Sequence, residues 1–168
     1  MVAIDPEAPE GPIFRRISLE ELEDPGPFEV VLASVSLHHV EDLGAGLDRI
    51  AGLLPPGGLL VLEEFARERL SGPTARWYFH QRHALAGDDL PSDFDDWHRS
   101  WVEHHTDVHP FAEMHEELGR RFAERHFEWV PYLYDYRLDD ALEPLERSLI
   151  DRGAIEATGF RYVGEGPG

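Results

Sequence analysis

FEVVLASVSLHHV, residues 28–40, and LLPPGGLLVLEE, residues 53–64, decide how this chain folds. Phe28 to Ala33 is almost continuously apolar, which predicts a strand buried on both faces of a parallel sheet. A polar turn with two adjacent histidines follows. Asp42 can cap a helix whose apolar positions Leu43, Leu47, Ile50 and Leu54 recur every three or four residues. Pro55-Pro56-Gly57-Gly58 stops that helix, and Leu59 to Leu62 is a second buried strand ending in Glu63-Glu64. Strand, helix and strand make a βαβ unit, whose first strand delivers the chain to a ligand-facing loop.

Upstream, Val2 to Ile4 reads as a short strand closing at Asp5-Pro6, and Pro6 to Pro12 as a loop. Ile13 to Ile17 reads as an edge strand, with Arg15 and Arg16 managing its exposure. Glu23 to Pro27 is a turn. Downstream, Pro73 opens a helix with Trp77, Gln81 and Leu85 along one side. Ser92 caps a segment bearing Phe94, Trp97, His98, Trp101 and His105, and Pro110 to Glu124 continues with Phe111, Met114, Leu118 and Phe122. These three helices, over about 73–125, interrupt the strand–helix alternation as a lid would. Phe127 to Tyr134 reads as a strand. Asp140 and Glu143 form a capping box for a helix with Leu142, Leu145 and Leu149, ended by Gly153. Thr158 to Val163 is the last strand. The expectation is one α/β domain over 1–163 with a loose tail at 164–168.

Composition narrows the partners. The 168 residues carry 34 acidic against 15 basic side chains, a formal charge of −19. Such a surface repels phosphate backbones and anionic lipid, so neither nucleic acid nor membrane is expected. The absence of cysteine excludes disulfides, thiolate zinc sites and thiol catalysis. No apolar run approaches the ~20 residues that span a bilayer, and a cytoplasmic protein is expected.

Ten histidines raise a metal reading. His80 with His83, and His105 with His109, place two rings on one helical face, and Glu63, Glu64 or Asp107 could join them in a metal-dependent hydrolase. Against it, no His-Glu-x-x-His motif occurs, and both pairs fall in ordinary amphipathic segments.

The run FEVVLASVSLHHVEDL (28–43), followed by LDRIAGLLPPGGLLVLEE (47–64), resembles the half of a class I S-adenosylmethionine-dependent methyltransferase of the small-molecule type that follows its glycine-rich motif. PYLYDY (131–136) and IEATGFRYVG (155–164) resemble its last two strands, an antiparallel pair, so the resemblance covers residues 2–163. It implies a Rossmann-like methyltransferase sheet, S-adenosylmethionine as cofactor and a small-molecule methyl acceptor. Asp5 would hold the ribose. Ser18 stands where the family often has an aspartate at the adenine amino group, and Leu19 would flank the adenine. Ser34 would put its backbone near the methionine or adenosine portion. His38 and His39 would face the reaction chamber, where a histidine can take a proton near neutral pH, or support the loop beside it. Residues 101–109 supply further histidines from the lid.

The family's first strand and Gly-x-Gly-x-Gly turn would precede Val2 by roughly twenty residues and are not in this sequence. Gly44-Ala45-Gly46 does not replace them, because it opens a helix with no strand before it. The expectation is a chain truncated at its N-terminus by a start placed too far downstream, with weak cofactor binding and marginal folding. The alternative is a shortened, non-catalytic binding or dimerisation module of the same fold, with a homodimer as its assembly.

Overall fold

Asp42 starts its helix as the sequence predicts. Its Oδ1 accepts from the Ala45 N–H at 2.9 Å, and helix α1 runs Leu43–Leu53. A computed structural model describes residues 1–23, 26–86 and 91–167. Asp24 and Pro25 of the expected turn, and Gly168 of the expected tail, lie outside the described residues. Strands β1 (Ala3–Ile4) and β2 (Phe14–Arg15) form a two-stranded parallel sheet. A second sheet holds β3 (Val30–Ser34), β4 (Leu59–Phe65), β5 (Ala123–Val130) and β6 (Gly159–Glu165) in the order β3-β4-β6-β5. The β3–β4 pair is parallel, and β4–β6 and β5–β6 are antiparallel. This is an α/β sheet with an antiparallel C-terminal pair, joined by α1, α2 (Gly72–Ala86), α3 (Phe94–His104), α4 (Phe111–Arg121) and α5 (Glu143–Asp151).

Side chains alternate across the sheet with period two. Val31 and Ala33 of β3, Leu60 and Leu62 of β4, and Phe160 and Tyr162 of β6 share one face. They pack against Leu47 and Ile50 of α1 and Met114 and Leu118 of α4. A second cluster, built on Phe65, Tyr78, Phe79, Trp97, Tyr132 and Leu133, joins α2 and α3 to the end of β4. The helical block therefore does not act as one piece. Its last helix is a core layer beside α1, and only α2 and α3 build the aromatic cluster beyond the strand.

Several sequence expectations are corrected. β3 is not buried on both faces: Val30 is 52 % and Leu32 72 % exposed, because they point away from the core face that Val31 and Ala33 share, on the edge strand of the sheet. α2 buries Ala75, Tyr78 and Phe79, whereas Leu85 is exposed. Asp93, not Ser92, caps α3, accepting from the N–H groups of Asp95 and Asp96. β5 begins at Ala123, four residues before the expected strand, and PYLYDY forms the loop after it. Asp139 turns the chain by accepting from Ala141 N–H, and α5 starts without a side-chain cap. β6 continues through Gly164 and Glu165, and Gly166 N–H donates to Gly58 O, so the tail starts later than expected.

Candidate active site

β3 delivers the chain to a tightly specified loop at the carboxyl end of the parallel pair. Val35 takes a left-handed conformation with φ 47°, which is costly for a β-branched side chain. Its N–H donates to Glu63 O at 2.8 Å. The turn aims the next two N–H groups at the same carboxylate. Ser36 and Leu37 donate to Glu64 Oε1 at 2.7 and 2.6 Å. Leu37–His39 then form one 3-10 turn, and His38 Nδ1 lies 2.6 Å from Glu64 Oε2. Glu64 is fully buried and His38 only 5 % exposed. Glu64 follows Leu60 and Leu62 on the core face of β4, so strand periodicity carries a carboxylate to the point where the apolar core ends. A buried carboxylate needs such partners.

Other histidines surround the pair. The His39 ring lies 4.0 Å from that of His38 and is exposed. Partial burial, then the neighbouring His38, pull its pKa below the ordinary histidine value. His105, just past α3, stacks on Trp101 at 4.2 Å. Its Nδ1–H donates to Trp101 O at 2.7 Å, and Tyr136 Oη lies 3.1 Å from its Nε2. Burial is the main cause of its lowered pKa, which favours the neutral ring. His109 acts as a staple: its backbone N–H donates to His38 O at 3.0 Å and its Nε2–H to Val40 O at 2.8 Å. Arg67 Nε donates to Val108 O, and Phe111 N–H to Glu68 Oε1. The segment between α3 and α4 is thereby tied to the loop on one side and to the turn after β4 on the other.

The expected cofactor residues are more dispersed. Asp5 follows β1, and its Oδ1 accepts from the Glu7 N–H at 2.6 Å, leaving Oδ2 for a further donor. The Ser18 N–H donates to Glu21 Oε2. Leu19 lines a cavity of about 280 Å³ with Glu41, Asp42 and Arg49. Ser34 ends β3, exposed and paired with Glu63 across the ladder. Asp5 and Ser34 lie on different sheets, since β1 pairs with β2 and β3 with β4. Among the described residues no group of three or more His, Asp or Glu is arranged to hold a metal. His83 packs on Phe79 and bonds its carbonyl instead. The sequence reading placed Glu64 at the right edge but missed its bond to His38. The usable clue was the spacing 60, 62, 64, which puts an acid on a core face opposite a His-His turn.

A parallel pair, an antiparallel C-terminal pair and a polar loop at the strand ends define a Rossmann-like methyltransferase fold. Residues 1–132 match the sequence model of a family described as a methyltransferase domain, and the chain belongs to that family. S-adenosylmethionine is the cofactor of this family. A 54-residue stretch is 41 % identical to ubiquinone biosynthesis O-methyltransferase of Bradyrhizobium sp. (strain ORS 278), covering 32 % of this chain and 21 % of that enzyme. Two solved structures share the fold. An S-adenosylmethionine dependent methyltransferase from Mesorhizobium loti superposes with a TM-score of 0.54 at 17 % identity, over 92 % of this chain and 71 % of that one. The N-methyltransferase NodS from Bradyrhizobium japonicum, in complex with S-adenosyl-l-homocysteine, gives 0.51 at 12 % identity over 92 % and 54 %. The chain thus matches about a fifth of the curated relative and about half of NodS.

Proposed function

We propose that this chain contributes the acceptor-side part of a methyltransferase that moves a methyl group from S-adenosylmethionine to a small molecule. The observation that carries the reading is the loop 34–38. It is a strained turn at the carboxyl end of a parallel strand, its Val35, Ser36 and Leu37 N–H groups all held by Glu63 and Glu64, in the place where such folds hold ligands. Asp5 accepts from the ribose hydroxyls, Leu19 flanks the adenine, and Ser18 and Ser34 offer polar contacts near the adenosine. Bound S-adenosylmethionine supplies an electrophilic methyl group on sulfur. The protein's part is to position the acceptor, exclude water with the aromatic side chains of α2 and α3, and receive a proton at His38 or His39. The O-methyltransferase and N-methyltransferase among the similar proteins favour a hydroxyl or amine acceptor. β3 is the edge strand of its sheet and can accept a further strand there.

Calorimetric titration with S-adenosylhomocysteine tests this. Binding is expected, and Asp5→Ala should weaken it roughly ten- to a hundred-fold, the range for a hydrogen bond to a charged group. Heat that is unchanged by Asp5→Ala removes Asp5 from the site. No binding at millimolar ligand overturns the reading and favours a non-catalytic module, in which a partner strand covers the β3 edge.

A further inference from the structure

We infer that Glu64 is the positioning residue of a buried carboxylate–histidine dyad, and that it holds His38 as a proton acceptor through Nε2. This deepens the proposed function and rests on it for the identity of the proton donor. The dyad itself stands on geometry. Glu64 accepts from Ser36 N–H and Leu37 N–H through Oε1, and from Phe65 N–H at 3.3 Å through Oε2. With three backbone N–H groups converging on its two oxygens, Glu64 is arranged as an acceptor, and the 2.6 Å contact to His38 is assigned to the ring donating from Nδ1. In a neutral ring the lone pair is then on Nε2. Among the described residues Nε2 has no hydrogen-bond partner, although the neighbouring His105 and His109 have both ring nitrogens engaged.

Several elements meet near His38. Glu64 comes from β4, His39 from the same turn, and His105 from the end of α3. Tyr132 and Tyr136 follow β5 and stack on Phe65, the residue after Glu64. His109 fixes the His38 backbone from the α3–α4 segment, with Arg67 donating to the carbonyl just before it. Glu64 is the charged group in hydrogen-bond contact with the ring. When the acceptor's X–H bond breaks, its proton forms a bond to Nε2, and the electron pair stays on X for attack on the methyl carbon. The C–S pair returns to sulfur. The resulting imidazolium is balanced by Glu64 until the proton leaves to water past the exposed His39.

Glu64→Gln tests this without cofactor or acceptor. The amide oxygen can still serve Ser36 and Leu37, but its NH₂ then faces Nδ1, which must become the acceptor. Two-bond ¹H–¹⁵N correlation spectra of the free, labelled protein at pH 7.5 report the tautomer. The wild type should carry its proton on Nδ1, and Glu64→Gln should move it to Nε2. His38→Asn is the folding control, because its amide can still donate to Glu64 while lacking the Nε2 lone pair. A wild-type ring protonated on Nε2 or on both nitrogens overturns the inference without any variant. So does an Nδ1–H tautomer that Glu64→Gln leaves in place. Because no cofactor is present, this failure is separate from loss of S-adenosylhomocysteine binding, which would sink the proposed function alone.

Discussion

Two glutamates are completely buried, and they do different things. Glu146 of α5 accepts from three consecutive N–H groups, those of Tyr132, Leu133 and Tyr134, at 3.0, 3.1 and 2.8 Å. All its partners are backbone, and the loop it holds joins β5 to the turn before α5. Glu64 holds the shorter loop after β3 with two comparable bonds, then spends its second oxygen on a histidine ring. Both loops are pinned by an acid from a distant element. Only one acid is coupled to a group that can take a proton. Backbone capture fixes a loop; adding an imidazole converts the same device into a candidate site.

The largest effect expected from this contrast is at Glu146. Glu146→Ala leaves three amides without their acceptor, at about 1–3 kcal/mol each when burial is complete. Tyr134 is only part-buried, so a loss of about 4 kcal/mol is expected, or roughly 8–16 °C in Tm for a chain of this size. Thermal melts followed by circular dichroism measure it. A drop below about 1 kcal/mol would mean that water replaces the carboxylate and that the loop is not held as described.

Glu64→Ala should cost less, about 2 kcal/mol, because Ser36 is exposed and its amide can turn to water while Leu37 cannot. The two losses separate the roles: Glu146→Ala should leave the His38 tautomer untouched, and Glu64→Ala should not. Equal stability losses with no change at His38 would erase the distinction between the loops.

The reason one half of this contrast was legible in the sequence is physical. The βαβ frame announces itself locally, through the Asp42 cap, the spacing of Leu43, Leu47 and Ile50, and the Pro-Pro-Gly-Gly stop. Those elements are where expected. β5 hides because AERHFEWV opens with four exposed, polar or small residues on an edge strand, which no apolar alternation reveals. The side of α2 marked by Trp77, Gln81 and Leu85 is not its buried face: Trp77 packs at the margin of the aromatic cluster and Leu85 is exposed, while Ala75, Tyr78 and Phe79 fill the cluster. His38 was legible as a residue type in a suggestive loop. Its bond to Glu64 spans 26 positions, and only the register of β3 on β4 brings the two together.

A smaller, pH-dependent effect sharpens the comparison. Burial raises the Glu146 carboxyl above its ordinary value of 4.5, against the pull of its three N–H donors. The folded state therefore holds that proton more tightly than the unfolded chain. Its contribution is complete below pH 4.5 and is lost as pH rises through the folded value. Glu146→Gln cannot titrate, so the stability of the wild type relative to this variant should fall as pH increases from 4.5. The slope is bounded by about 1.4 kcal/mol per pH unit for one group. A difference independent of pH across that range would mean that the carboxylate is as well solvated by its amides as by water.

The smallest effect concerns how the site loop is bent. A left-handed β-branched residue costs about 1–2 kcal/mol. Val35→Gly removes that cost while giving up a half-buried side chain at the margin of the aromatic cluster. It also adds about 0.5–1 kcal/mol of unfolded-state entropy. These terms nearly cancel, and a net change within about 1 kcal/mol is expected. Val130→Gly is the control. Val130 is buried at the end of β5, 3 % exposed, and has no strain to release, so about 3 kcal/mol should be lost. If Val35→Gly costs as much as Val130→Gly, the turn after β3 stores no strain, and the aim of the Ser36 and Leu37 amides owes nothing to residue 35. If it is near neutral while the His38 tautomer becomes mixed, the valine is there to hold the dyad's loop in one shape rather than to stabilise the fold.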